Sequence, residues 1–347
     1  VRLLRRLFAL LAAVAALASC AEAGKARPVV VLDEAFVAAY PELAASLRSP
    51  SAFAGPLGSL FGGAEPASII TMTQSPGLAL DAARKAETGK PGSAILVTSP
   101  LIASGLIGGG VWKGEPRILV PEWRGEGAPG LIAAYGDPIP AYRTVGTALG
   151  SYIARLAGDG GSPSCGILFS EGPSRPREAL EAFALAYSAA SGGRFPLIRE
   201  LAFPATGSET ASGEAQAAST GKEVPSDGNN PEEAVADMLG ADIRVLFIAL
   251  GPDTIAAIRA AARSGLALGA DYSDPAASPS LAFRVIPDWD RMVKSLAGRA
   301  AQPQGGEAGA AIAVPALVEI LGSASMFKAG GRGLGAFIGD ARPKSAR

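Results

Sequence analysis

Five residues offer chemistry from their type and position alone: Asp33, Ser99, Trp123, Asp137 and Glu171, each where an apolar run gives way to a loop or helix. A carboxylate at such a strand end can accept hydrogen bonds from ligand hydroxyls, and an exposed indole can stack on a flat ligand face. Each also has a purely structural reading. Asp33 and Ser99 suit helix caps. Trp123, on a Gly-flanked loop after Pro121-Glu122, can pack on its own lobe. Asp137 and the neighbouring Tyr135 suit the crossing between two halves of the chain, and Glu171 suits a solvated ion pair with Arg175 or Arg177.

What the composition omits narrows the chemistry further. The chain has no histidine, which removes Ser-His-Asp and Cys-His nucleophiles, histidine zinc sites and imidazole acid–base chemistry. A glycine-rich phosphate loop and a Gly-x-Ser-x-Gly elbow are also missing. With 31 basic against 32 acidic side chains, no general field draws in nucleic acid. The residues therefore read as a binding protein rather than an enzyme, with no cofactor and no metal.

The two cysteines, Cys20 and Cys165, are too few for a disulfide framework. Arg2, Arg5 and Arg6 precede an apolar run from Leu7 to Ala18, the layout of an export signal over residues 1–19. The run is shorter than the ~20 residues needed to span a bilayer. It ends in Leu17-Ala18-Ser19-Cys20, which is similar to the lipobox of bacterial lipoproteins, with Cys20 as the lipidated residue and residues 20–27 as a tether. Cys165, inside Ser164-Cys165-Gly166-Ile167-Leu168-Phe169, reads as a buried core thiol.

The elements that must position these side chains follow from the apolar pattern. Short, continuously apolar runs predict strands buried on both faces at Val29–Leu32, Ser68–Met72, Ala94–Thr98, Arg117–Val120 and Leu131–Tyr135. A second series follows at Cys165–Phe169, Pro196–Phe203, Arg244–Leu250 and Ala267–Ala270. Helices alternate with them. Ser75-Pro76, Ser99-Pro100 and Asn230-Pro231-Glu232-Glu233 are start signals, and Asp253 is expected to cap the helix that Gly265 ends. Val145, Leu149, Tyr152, Ile153 and Leu156 form one stripe, and Leu180, Phe183, Ala184 and Tyr187 another.

This alternation predicts an α/β fold of two lobes, each a mostly parallel sheet flanked by helices: residues 28–140 and 141–270, with 271–347 returning across both. Residues 205–229 lack apolar periodicity and read as a mobile insertion. Residues 302–309 read as a loop, and the Gly-rich, basic stretch after Gly330 as a flexible tail. Two open sheets facing each other, with a hinge between the lobes, would bind a ligand at the carboxyl ends of their strands.

Three segments carry a family resemblance: residues 146–190, 244–265 (RVLFIALGPDTIAAIRAAARSG) and 267–298. Through them the chain resembles type I periplasmic binding proteins, and within these the basic membrane lipoproteins that deliver nucleosides to ABC transporters. The resemblance implies that Asp271, in Gly-x-Asp, accepts hydrogen bonds from ligand hydroxyls. It implies a ligand contact at Arg284, where the family has lysine; a guanidinium fork there replaces a point charge. It also places Asp33 and Phe36 against the ligand, and a structural salt bridge is the rival reading of Asp271 and Arg284. The implied function is a lipid-anchored, extracytoplasmic receptor, held at the cell or outer membrane, that captures a nucleoside or sugar between its lobes for an ABC permease. A ligand-sensing or regulatory lipoprotein of the same fold is the alternative.

Overall fold

A computed structural model of the chain describes residues 29–39, 68–72, 76–86, 94–114, 116–158, 162–172, 174–201, 230–271, 275–289, 291–292, 295 and 311–343. Cys20, the expected signal and tether, Ser75, residues 205–229 and residues 302–309 lie outside the described residues. The chain divides into two compact units, Val1–Tyr135 with Trp289–Ile312, and Gly136–Asp288 with Ala313–Arg347.

The first unit contains β1 (Val29–Asp33), α1 (Glu34–Ala39), β2 (Ser68–Met72), α2 (Pro76–Ala86), β3 (Ala94–Val97), α3 (Pro100–Gly108), β4 (Arg117–Pro121) and β5 (Leu131–Asp137). The second contains α4 (Ile139–Gly158), β6 (Ser164–Phe169), α5 (Arg177–Ala190), β7 (Leu197–Glu200), α6 (Pro231–Leu239), β8 (Ile243–Ala249), α7 (Thr254–Ala261), β9 (Ala267–Asp271) and β10 (Leu281–Ile286). The chain then adds β11 (Ile312–Pro315), β12 (Leu317–Ile320), a small hairpin of β13 (Lys328–Ala329) and β14 (Arg332–Gly333), and α8 (Leu334–Ala341).

Two six-stranded sheets result, ordered β2-β1-β3-β4-β5-β11 and β7-β6-β8-β9-β10-β12. Neighbours from β2 through β5, and from β7 through β10, run parallel, while β12 runs antiparallel to β10. The same order is thus written twice. The fold class is mixed α/β with two mostly parallel sheets, as the alternating pattern predicts.

The second sheet shows why its strands read as unbroken apolar runs. On β8, Val245, Phe247 and Ala249 enter one core with α4, α5 and α8, while Leu246 and Ile248, with Leu250 just beyond the strand, enter another with α6 and α7. A strand covered on both faces has no polar positions left to alternate. Edge strand β7 departs from the expectation: all four of its residues are exposed. It pairs with a neighbour only through β6, so Leu197 and Ile198 gain no second cover.

Three further corrections concern boundaries. The units divide after Tyr135 rather than after residue 140, because α4 packs its stripe of Tyr142, Val145, Leu149, Tyr152 and Ile153 into the second unit's core. The stretch after Gly330 is not a free tail through Arg342: Leu334, Phe337 and Ile338, spaced three and four apart, bury in the same core. Asp253 makes no side-chain cap; a short 3-10 turn over Gly251–Asp253 leads into α7, and Thr254 Oγ1 instead accepts from Leu250 N at 3.1 Å. Asn230 does cap α6, accepting from Glu232 N at 2.9 Å.

Cys165 is fully buried, as its apolar setting predicts. Burial pushes its thiol well above the ordinary range. The phenol of Tyr187, beside it, is also pushed up, first by burial and then by Cys165, and its buried hydroxyl has no hydrogen-bond partner among the described residues. A group whose pKa is raised on folding adds stability in full below its unfolded value and loses it as pH climbs towards the folded one. The urea midpoint is therefore expected to fall from about pH 8.5 upward, where unfolded thiols ionise. In the folded protein below that pH, iodoacetamide should leave the Cys165 peptide unmodified in a mass-spectrometric map; rapid modification would contradict this burial.

Candidate functional site

In a doubly wound sheet the order reverses once, and the loops on either side of that point diverge at the carboxyl edge, leaving a crevice. Here the reversal lies between β1 and β3 in the first sheet, and between β6 and β8 in the second.

Asp33 is the last residue of β1 and is buried. Thr98, directly after β3, is also buried and donates its hydroxyl to Asp33 Oδ2 at 2.6 Å. The first sheet's reversal point thus carries a carboxylate positioned by a hydroxyl from the neighbouring strand. Ser99 caps α3, accepting from Ile102 N at 3.5 Å, a long bond. Phe36 stands on α1 but is completely buried, so it supports the wall and presents no ring. Asp33, three residues earlier, ends β1, and the helix that follows turns Phe36 inward.

Trp123 likewise packs on its own lobe. It is 7% exposed, sits in the first unit's core and donates Nε1–H to Glu126 O at 3.1 Å. The exposed-ring reading is therefore corrected. Glu122 before it has φ 57°, a left-handed turn uncommon for a residue other than glycine. That turn ends β4 and aims Trp123 back at the core. The next residue, Arg124, lays its guanidinium over the Tyr135 ring, 4.4 Å from the centroid. The cation and ring on this edge are therefore Arg124 and Tyr135.

In the second sheet, Ser170 follows β6, and Gly172 and Arg175 exchange backbone hydrogen bonds of 3.1 and 2.9 Å in a tight turn. The turn folds Arg175 back over the reversal point. Its Nε–H donates to Ser170 O at 3.0 Å and Nη1 to Ser174 Oγ at 3.1 Å, and only 9% of the residue is exposed. Gly251, after β8, completes the setting. Its φ is +65°, and a Cβ there would stand 2.5 Å from Arg175 Nη2. The left-handed backbone favours glycine there, and a Cβ would also push the guanidinium aside. Glu171 is exposed, and Arg177 pairs with Glu200 rather than with it. The anticipated surface pair at Glu171 is replaced by an inward Arg175, which sequence reasoning took for a surface charge.

Asp271 ends β9, buried, and accepts from the Tyr142 hydroxyl at 3.2 Å. Arg284 lies on β10 and pairs with Glu319, its partner in the antiparallel register with β12. The Asp271–Arg284 pair is not brought together as a unit. Register sets Val285 beside Asp271 and Ala270 beside Arg284, and successive side chains alternate faces. Asp137 accepts from Ile139 N at 3.1 Å at the start of α4, and its carbonyl accepts from Ala316 N at 2.8 Å. It serves as an end cap and as a tie to the returning chain. Among the described residues no group of three or more Cys, Asp or Glu side chains is placed to hold a metal ion, and no helix is long and apolar enough to cross a membrane.

No family model matches the chain, and no curated protein matches it. Solved structures do. A periplasmic ribose ABC transporter protein from Conexibacter woesei DSM 14684 is similar at 16% identity and TM-score 0.44, covering 85% of this chain and 93% of that one. A carbohydrate transporter solute-binding protein from Agrobacterium Radiobacter, in complex with D-arabinose, is similar at 14% identity and TM-score 0.43, covering 86% and 95%. A probable LacI family transcriptional regulator from Corynebacterium glutamicum is similar at 13% identity and TM-score 0.45, covering 84% and 99%.

Proposed function

We propose that this chain is an extracytoplasmic solute receptor that captures a small hydroxylated ligand, a sugar or nucleoside, for an ABC permease. The observation that carries the reading is the matched placement of Asp33 and Arg175. Asp33 ends the first strand of its sheet and Arg175 lies in the loop after the first strand of the other; each is buried and held by a hydrogen bond beside the point where strand order reverses. On the first sheet's edge, Asp33, Thr98 and the Arg124–Tyr135 stack form a donor and acceptor set suited to hydroxyl groups and flat sugar or base faces, and on the second sheet's edge Arg175 offers guanidinium donors. Such a site needs no general base, in keeping with a chain that has no histidine. The basic head, apolar run and Leu17–Cys20 motif support membrane attachment through a lipid on Cys20.

A thermal-shift panel of the full chain against nucleosides, free bases, pentoses, hexoses and amino acids tests the reading. Ligand at 100 times its dissociation constant stabilises the fold by about 2.7 kcal/mol. A response to a hydroxylated ligand, abolished by Asp33→Ala in protein shown to be folded, is the expected result. Silence across the panel from folded, ligand-free protein would contradict transport of any such solute and turn attention to the sensing alternative.

A further inference from the structure

Arg175 differs from the other paired arginines in a way that bears on the ligand's charge. Among the described residues, Arg84, Arg177, Arg199, Arg244, Arg284 and Arg332 each have a carboxylate within ion-pair distance. Arg175, 9% exposed, is the most enclosed of the described arginines, and its hydrogen-bond partners are neutral: the Ser170 carbonyl and the Ser174 hydroxyl. A guanidinium removed from water without a counter-charge is costly and is normally paired. It carries five N–H donors in a fixed fork, and the two bonds above leave Nη2 without a protein acceptor.

The surroundings keep that free arm clear. The guanidinium lies against two glycines: a Cβ on Gly251 would stand 2.5 Å from Nη2 and 2.9 Å from Cζ, and one on Gly172 3.1 Å from Nη2. Any side chain at Gly251 would occupy the space beside the fork. Among the described residues, no carboxylate of the same sheet edge lies within ion-pair distance of Arg175. Glu171 is exposed, Asp253 is half-buried and outside ion-pair distance of Arg175, and Asp271 takes the Tyr142 hydroxyl on one oxygen. The fork geometry of an arginine matches the paired oxygens of a carboxylate or phosphate.

We propose that the ligand received at the second sheet's edge is anionic, a small polyol bearing a carboxylate or phosphate that Arg175 grips through its free Nη2 arm between Gly172 and Gly251. This rests on the solute-receptor reading above and specifies the class of solute. Calorimetric titration of the full chain with matched pairs tests it: D-galacturonate against D-galactose, and ribose 5-phosphate against ribose. The acid of at least one pair should bind about tenfold or more tightly than its neutral counterpart, and which pair shows the preference separates carboxylate from phosphate. Arg175→Met should abolish the preference, and Arg175→Lys should restore part of it, in variants whose melting curves show them folded. Neutral sugars binding as well as or better than their acids would overturn the anionic class while leaving the receptor reading intact. No binding of any of the four by folded, ligand-free protein would overturn the anionic class, and the receptor reading falls with it only if the wider thermal-shift panel is silent too. The comparison on the unaltered chain decides the matter even where an Arg175 variant fails to fold.

Discussion

Gly269→Val is expected to destabilise the second unit by about 3 kcal/mol, the upper part of the range for overpacked cores. Valine favours strands on propensity alone, so the predicted sign runs against what the local sequence suggests. The cause is the Phe283 ring, which lies across Gly269 from the neighbouring strand. A Cβ at residue 269 would stand 2.0 Å from Phe283 Cζ and 2.3 and 2.5 Å from its two Cε atoms. That ring has nowhere to go. It is completely buried and packs on Phe247 at 5.7 Å between centroids, and Phe247 in turn meets Tyr142 at 5.1 Å and Phe183 at 5.8 Å. Urea denaturation should show a lowered midpoint with the slope little changed. Phe283→Leu, costly by itself, should cost less in the Gly269→Val background, a coupling of the kind double-mutant cycles measure between contacting residues. An unchanged midpoint for Gly269→Val would contradict the packing.

Gly146→Ala in α4 should cost about 2 kcal/mol, where an exposed helix interior would gain about 1 kcal/mol from the same change. Helices α4 and α5 approach closely at Gly146 and Gly150, four residues apart and therefore on one face. A Cβ on Gly146 would stand 2.3 Å from the Phe183 carbonyl oxygen, and one on Gly150 2.5 Å from that of Tyr187. Both obstacles are backbone, which cannot rotate aside as a long side chain can. Relief requires α5 to move away from α4, opening the core formed by Tyr142, Val145, Leu149, Phe183 and Tyr187. Gly158, at the end of the same helix, has nothing within 4 Å of a Cβ and serves as the control. Thermal melts should show Gly146→Ala and Gly150→Ala lowered and Gly158→Ala level or raised. A rise for Gly146→Ala would contradict the close approach.

Elements whose formation depends on local pattern are legible in this chain. The central strands are unbroken apolar runs because both faces are covered, and α4, α5 and α6 show their buried stripes or caps directly in the sequence. Positions fixed by distant partners are not. Arg175 sits among polar and small residues that suggest a surface loop, and what turns it inward is the Gly172 turn together with a glycine at 251, far along the chain. The positive φ at Gly251 lies in Leu250-Gly251-Pro252-Asp253, a turn signal that could have drawn attention to that loop. Family likeness places Asp271 and Arg284 together at the ligand, but which face each takes depends on the register of β9 against β10, which composition does not encode. The position of Trp123 is hidden for a similar reason. Its loop looks exposed, and only the left-handed turn at Glu122 sends the indole into the core.

The central claim of the proposed function is that each unit offers its ligand-contacting residues at the carboxyl edge of its own sheet, at the point where strand order reverses. Hydrogen–deuterium exchange of the full chain, with and without the tightest-binding solute of the panel, tests it most directly. Ligand-dependent protection should concentrate in residues 31–36, 96–100, 169–176 and 249–254, with the amino-terminal ends of the same strands, at Ser164 and Ile243, unchanged. Protection confined to those amino-terminal ends, or to the exposed edge strand β7, would contradict the claim.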